Sequence, residues 1–195
     1  RKFYERNKYQ YLNKEHTIND LKALALFWKS VSHQDKERFS DDVLKKLFVL
    51  NYAPNGMWLN VTSVYFLQNR DINGSLEDAG FSKFLSRITA FIFAYAVTNP
   101  GVIALRTPVY DEMVNLVNDG DATFAKYKFN STQARSFFEN YAFTNQRNIT
   151  RSMITWYAYT FPGQQLLDIN EMYHLEHIYP RKRQEMECGL KGEGS

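Results

Sequence analysis

Residues 75–101 read SLEDAGFSKFLSRITAFIFAYAVTNPG. Ser75-Leu76-Glu77-Asp78 resembles a capping box with Asp in place of Glu. Phe84, Ile88, Phe91, Ile92 and Tyr95 then recur at helical spacing, and Asn99-Pro100-Gly101 stops the run. The stretch predicts a long helix over about 81–97 with an aromatic, core-facing stripe.

Working outward, the same grammar repeats. Upstream, Thr17 or Asn19 is placed to cap a helix through Leu21, Leu24, Ala25, Phe27 and Trp28. Ser40-Asp41-Asp42 puts a cap and two acids at a helix start, where the macrodipole favours them, ahead of Leu44, Leu47, Phe48 and Leu50. Pro54-Asn55-Gly56 is a turn, and Trp58–Leu67 is apolar enough to be a buried helix. Asp71-Ile72-Asn73-Gly74 breaks it. Downstream, a helix is expected near 108–118 with Pro108 in its first turn, ended by Asn118-Asp119-Gly120-Asp121. Ser131 opens another through Phe137, Phe138 and Tyr141. Thr144 or Asn145 opens the next, through Ile149, Met153, Ile154, Trp156 and Tyr157.

Composition agrees. The chain has 195 residues, 44% apolar and 23% charged, which is globular rather than disordered. Fifteen Phe and thirteen Tyr supply a core, while nine Gly and five Pro are too few for a turn-rich sandwich. Their helical spacing assigns the aromatics to the core rather than to base stacking. A net charge of +3 permits a nucleic-acid partner without demanding one. The single cysteine, Cys188, excludes an internal disulfide framework and a four-cysteine zinc site, so a reducing, cytoplasmic setting is expected. The most apolar run, Ile88–Val97, is shorter than the roughly 18–20 residues of a membrane span and contains Thr89 and Tyr95. The N-x-S/T triplets at Asn60, Asn73, Asn130 and Asn148 read as coincidences of an Asn-rich chain. The chain opens on Arg1-Lys2, and residues 1–16 read as the trailing end of an upstream domain. Residues 1–160 are thus assigned to a helical domain.

The texture changes at Phe161-Pro162-Gly163, and a linker is expected near 161–168. Residues 172–179 lack a helical stripe and read as a strand or an irregular extended piece closed by Pro180. This segment holds the sharpest chemistry, His174-Leu175-Glu176-His177-Ile178-Tyr179-Pro180. Histidine takes a proton near neutral pH, and a carboxylate beside it can hold a hard divalent ion. Phosphodiester hydrolysis needs both. The competing reading is that His174 and His177 are surface or core residues. His16 and His33 lie in polar flanks and carry no such expectation.

Glu176-His177-Ile178-Tyr179-Pro180 resembles the E/D-H-I-x-P opening of the His-Me finger (HNH, ββα-metal) nucleases. A long helical region, a short linker and then this motif resemble the C-terminal half of GmrSD-type restriction endonucleases, which act on modified foreign DNA. The resemblance implies that His177 is the catalytic general base and Glu176 a ligand of a divalent metal of the Mg²⁺ type. His174 would be a supporting residue near that site. It implies DNA as partner, and an incomplete ββα-metal segment over 161–195 to be finished by a second strand and a helix with a further catalytic Asn or His. It also implies an upstream nucleotide-hydrolysing domain marked by D-G-Q-Q-R. Gln164-Gln165 is not that signature, and no P-loop or other nucleotide motif occurs. Arg147 and Arg151, four apart, would join Arg181-Lys182-Arg183 in contacting phosphates. An ordinary solvated helix face competes for those arginines. The expectation is therefore a mainly α chain with a truncated nuclease segment, the alternative being a non-enzymatic helical module that binds DNA or a protein.

Overall fold

The computed structural model describes residues 5, 14–99, 101, 104–118, 120–143 and 147–175. They form seven α-helices: α1 (Glu15–Ser32), α2 (Asp41–Asn51), α3 (Met57–Asn69), α4 (Asp78–Thr98), α5 (Arg106–Val117), α6 (Ser131–Glu139) and α7 (Asn148–Ala158). A 3₁₀ turn at Pro54–Gly56 joins α2 to α3. No strand occurs among the described residues: 172–175 are irregular, and 176–179 lie outside them. Nor is any described helix long and apolar enough to cross a membrane.

The helices begin where local chemistry lets them, which is not always where the sequence pattern placed them. Ser40 caps α2 as expected, accepting from Val43 N at 3.3 Å. Helix α4 starts earlier than expected, and its cap is Glu77, not Ser75: the Glu77 carboxylate accepts from Ala79 N and Gly80 N. Ser75 is committed elsewhere. Its N–H donates to Asp71 Oδ1 at 2.7 Å and its carbonyl accepts from Asp71 N at 2.9 Å, closing the Asp71–Ser75 turn around Gly74 at φ +77°. Asn130 caps α6, accepting from Gln133 N at 3.0 Å. Helix α1 starts at Glu15, ahead of Thr17 and Asn19, with no side-chain cap. Helix α7 starts after Arg147, also without a side-chain cap; the expected caps Thr144 and Asn145 lie outside the described residues.

Helix α3 lies along α5, and α2 packs on both α4 and α7, while α6 lies on α4. The core is aromatic at its centre. Phe27 is fully buried, stacked on Phe66 at 4.4 Å and edge-on to Trp28, Phe39 and Phe81. Trp28 satisfies its indole N–H on Ser63 Oγ at 3.0 Å. Tyr65 stacks on Phe84 at 3.8 Å, and further along α4 Phe91 stacks on Phe124 at 4.0 Å. The expected stripe of α4 is buried at Phe84, Ile88, Phe91 and Ile92; Tyr95 is only partly covered.

Two helices bury less than their sequences promise. No residue of α6 is fully buried: Phe137 is exposed and Phe138 half-buried. In α7 the buried residues are Ile149, Thr150 and Ser152, while Ile154, Trp156 and Tyr157 are exposed. Both helices sit on the outside of α2 and α4, so each has a neighbour on one side only.

Candidate functional site

The segment leading to the Glu176-His177 motif is fastened to the helical body. Gln34, in the turn after α1, holds φ +48°, a left-handed conformation that side chains other than Gly, Asn and Asp seldom adopt. Its amide spans two residues of the distant segment. Nε2 donates to Leu167 O at 2.8 Å, and Oε1 accepts from Ile169 N at 3.0 Å. The side chain thus pairs with the backbone as a neighbouring strand would. Leu167 N donates to Tyr159 Oη at 3.1 Å, and Asp168 N to Tyr173 Oη at 3.0 Å. Both tyrosine rings rest edge-on against Phe48, at 6.1 and 6.2 Å. Leu166 packs on the core. The end of the stretch expected to be a linker, Leu166 to Asp168, is therefore fastened to Gln34 after α1 and Tyr159 after α7, with the rings of Tyr159 and Tyr173 resting on Phe48 of α2.

Beyond it, His174 is exposed and described, but the residues it would support are not: Glu176, His177, Arg181, Lys182 and Arg183 all lie outside the described residues. Among the described residues no three His, Cys, Asp or Glu side chains converge to hold a metal. Arg147 precedes α7 rather than lying in its first turn, and its guanidinium sits over the Tyr141 ring at 5.1 Å. Arg151 lies in the helix, partly exposed. His16 is exposed on α1, and His33 Nδ1 lies 2.8 Å from the Lys29 carbonyl at the end of that helix.

Among the described residues, two concavities bear on a candidate site. The broader, about 530 Å³, lies beside the end of α1 and is lined by Lys29, Ser30, His33, Asp35 and Arg38. Its polar groups are engaged with one another: Ser30 donates to Asp35 at 3.1 Å, and Arg38 donates to Ser30 and to Gly74 O while lying over Phe27, Phe39 and Phe66.

The narrower, about 340 Å³, lies between the end of α4 and α6. One wall is the loop from 120 to 130, whose course is set from beneath. Glu112 on α5 is fully buried, and its carboxylate accepts from Thr123 N at 2.9 Å and Asn115 Nδ2 at 3.3 Å. Phe124, at φ +53°, seats its ring on Phe91, and Tyr127 donates its hydroxyl to Asp111 at 3.1 Å. Burial, and then the bond to Asp111, push the Tyr127 hydroxyl above its ordinary pKa, so it stays protonated. The loop thereby sets Tyr127 and Phe129 edge-on to Tyr95 of α4, both at 6.3 Å.

Neither the Gln34 tether nor this cleft was singled out from sequence. A signal for the first is faint, since a glutamine in a turn is ordinary. For the second, Glu112 stands on the buried register of Val109 and Leu116, where a carboxylate needs a reason.

Comparison with protein-family models, with curated proteins and with solved structures finds no match to this chain.

Proposed function

We propose that this chain belongs to a metal-dependent DNA endonuclease of the GmrSD-type restriction class, its helical region carrying the opening of a His-Me finger nuclease segment. The observation that carries the reading is the motif Glu176-His177-Ile178-Tyr179-Pro180. It follows directly on a segment whose backbone is tied to the helical body through Gln34, Tyr159 and Tyr173. A rigid base for a catalytic segment is what positioning chemistry requires.

In this reading His177 takes the proton of the attacking water, and Glu176 is one oxygen ligand of the metal. A carboxylate is a hard oxygen donor suited to an ion of the Mg²⁺ kind, which leaves the His177 imidazole free to act as the base. When bound, such an ion polarises the phosphoryl oxygen and stabilises the charge on the leaving group. The basic residues Arg181, Lys182 and Arg183, with Arg147 and Arg151, would neutralise phosphates of the DNA. DNA is the partner, with an upstream nucleotide-hydrolysing domain in the same protein. The alternative is a helical docking module without catalysis, favoured by the exposed Ile154, Trp156, Tyr157 and Phe161 around α7.

The test is cleavage of plasmid DNA by the protein carrying this chain in full, with and without Mg²⁺ or Mn²⁺. His177→Ala is expected to lower the rate by about 10²–10⁴. Glu176→Ala should be partly rescued by raised metal, because it removes a ligand and not the base. If both variants cleave at the wild-type rate, the motif is a coincidence and the docking module takes its place.

A further inference from the structure

We propose that the cleft between α4 and α6 binds one unstacked nucleobase of a single-stranded polynucleotide, with Lys128 on its phosphate. At about 340 Å³ the cleft stands at the small end of the roughly 300–1,000 Å³ that ligand sites span. Its walls combine two kinds of group. Tyr95, Tyr127 and Phe129 offer aromatic surface from two elements, and Phe137, 40% exposed, adds a fourth ring from α6. Interleaved with them are the amides of Asn99, Asn130 and Gln133. Aromatic surface takes the face of a planar ring whatever its identity, and amides pair with the polar edge of a base.

The charge of the lining selects further. Among the described residues it holds one cation, Lys128, and no carboxylate. An amine or metal ligand finds no counter-charge there, whereas a neutral ring bearing an anion does. Of these polar groups, the Asn130 side-chain oxygen is engaged as the cap of α6 and the Asn99 amide donates to Thr98 at 3.2 Å, while Lys128 and Gln133 are available. Among the described residues the Lys128 ammonium and the Gln133 side-chain amide make no hydrogen bond or ion pair, and both residues are exposed. Only Gln133's backbone N–H is engaged, on Asn130. The aromatic wall does not need to form on binding. Glu112 and Asp111 already fix the loop that carries Tyr127 and Phe129, so little ordering cost is left for the ligand to meet. A duplex cannot offer a base face to such a cleft, so the ligand is a single strand or an extruded base. The inference takes the identity of the strand from the DNA reading above; the affinity of the cleft for a base requires no cleavage.

The experiment is fluorescence anisotropy with the full chain in EDTA, using a labelled twelve-nucleotide single strand. The same strand as a duplex, a fully abasic strand and a free deoxynucleoside monophosphate as competitor complete the set. The single strand should bind more tightly than the duplex or the abasic strand. Phe137→Ala should weaken it by roughly 5- to 150-fold, the range that loss of one base–aromatic stack gives. Gln133→Ala should weaken it too, and Lys128→Ala should both weaken it and reduce the salt dependence by about one ion. If Phe137→Ala loses its fold, the exposed Lys128 and Gln133 variants decide. Equal binding of abasic and base-bearing strands, wild-type binding by all three variants, or no binding at all would overturn the proposal. Displacement by the mononucleotide at the strand's own affinity would overturn its polynucleotide part. Because no metal is present, the result is independent of the His177 test. Cleavage that depends on His177, together with unchanged strand binding by the cleft variants, would leave the nuclease reading standing and refute this one.

Discussion

Ser152 donates its hydroxyl to the carbonyl of Val49 at 2.7 Å, with both residues buried and 103 positions apart. The bond joins α7 to the last turn of α2, where helix carbonyls lack partners within the helix. It is the polar clasp of an interface whose apolar part is small, since Ile149 is the one large α7 side chain that is fully buried.

Ser152→Ala should therefore cost about 0.5–1.5 kcal/mol, the net worth of one hydrogen bond. The loss stays modest because Val49 O still accepts from Tyr52 N at 3.2 Å. Ser152→Val should cost more, by about 1–3 kcal/mol, because the added methyls have no space there. Urea denaturation of the two variants checks the order; a valine variant as stable as wild type would mean the α2–α7 contact is loose.

Glu112 is buried with two N–H donors on its carboxylate and, among the described residues, no ion pair. Glu112→Ala should leave the Thr123 N–H without its acceptor, at a cost of about 1–3 kcal/mol, and loosen the 120–130 loop. Glu112→Gln keeps an oxygen for Thr123 and should lose less. Thermal melts and amide exchange at Thr123 distinguish them. Unchanged exchange in the alanine variant would show that the loop is held by Phe124 and Tyr127 instead.

Gln34 combines a left-handed backbone with two hydrogen bonds to the 167–169 segment. Gln34→Ala loses the bonds and keeps the strain; Gln34→Gly loses the bonds and relieves it. Both should speed exchange of the Ile169 N–H, each lost bond being worth about 0.5–1.5 kcal/mol. The glycine variant should melt above the alanine variant. Protection of Ile169 that survives both changes would assign the anchoring to Tyr159 and Tyr173.

Asp42 accepts from Lys46 Nζ at 2.7 Å and from Ser82 Oγ at 2.5 Å, linking α2 to α4. Partial burial raises its pKa, but the Lys46 and Ser82 hydrogen bonds and the charges of Lys46 and Lys45 outweigh it and hold the carboxyl below its ordinary value. A depressed folded-state pKa adds stability above the unfolded value and loses it as pH falls through the folded one. Asp42→Asn should thus destabilise by up to about 1 kcal/mol at neutral pH, given its exposure. The gap to wild type should close below about pH 4. A gap that persists in acid would show packing, not charge, at this position.

How much of this was legible beforehand can be followed residue by residue. Ser40, Asp41 and Asp42 announced α2 because a cap and its first turn are neighbours in sequence, and the structure uses Ser40 as read. Ser75 misled because its backbone N–H and carbonyl are both taken by Asp71, which closes a turn there and leaves the cap to Glu77. The resemblance of Glu176-His177-Ile178-Tyr179-Pro180 to a nuclease motif was legible as five consecutive residues. The fastening of residues 167–169 ahead of it was not, since Gln34 and Ile169 are 135 positions apart and nothing local marks either.

The sequence by itself determined that this chain is mainly helical, and where most of its helices lie. Period, caps and breakers act over a few residues and need no knowledge of the rest of the chain. Only the tertiary structure decided which aromatics are core and which are surface. Phe84 and Phe137 both sit on apolar helical stripes, yet Phe84 is buried beneath Tyr65 while Phe137 lines an open cleft. The physical reason is that burial depends on which helices come to cover a face. That choice is made by long-range contacts such as Ser152 to Val49 and Thr123 to Glu112, whose partners carry no mark of one another in sequence.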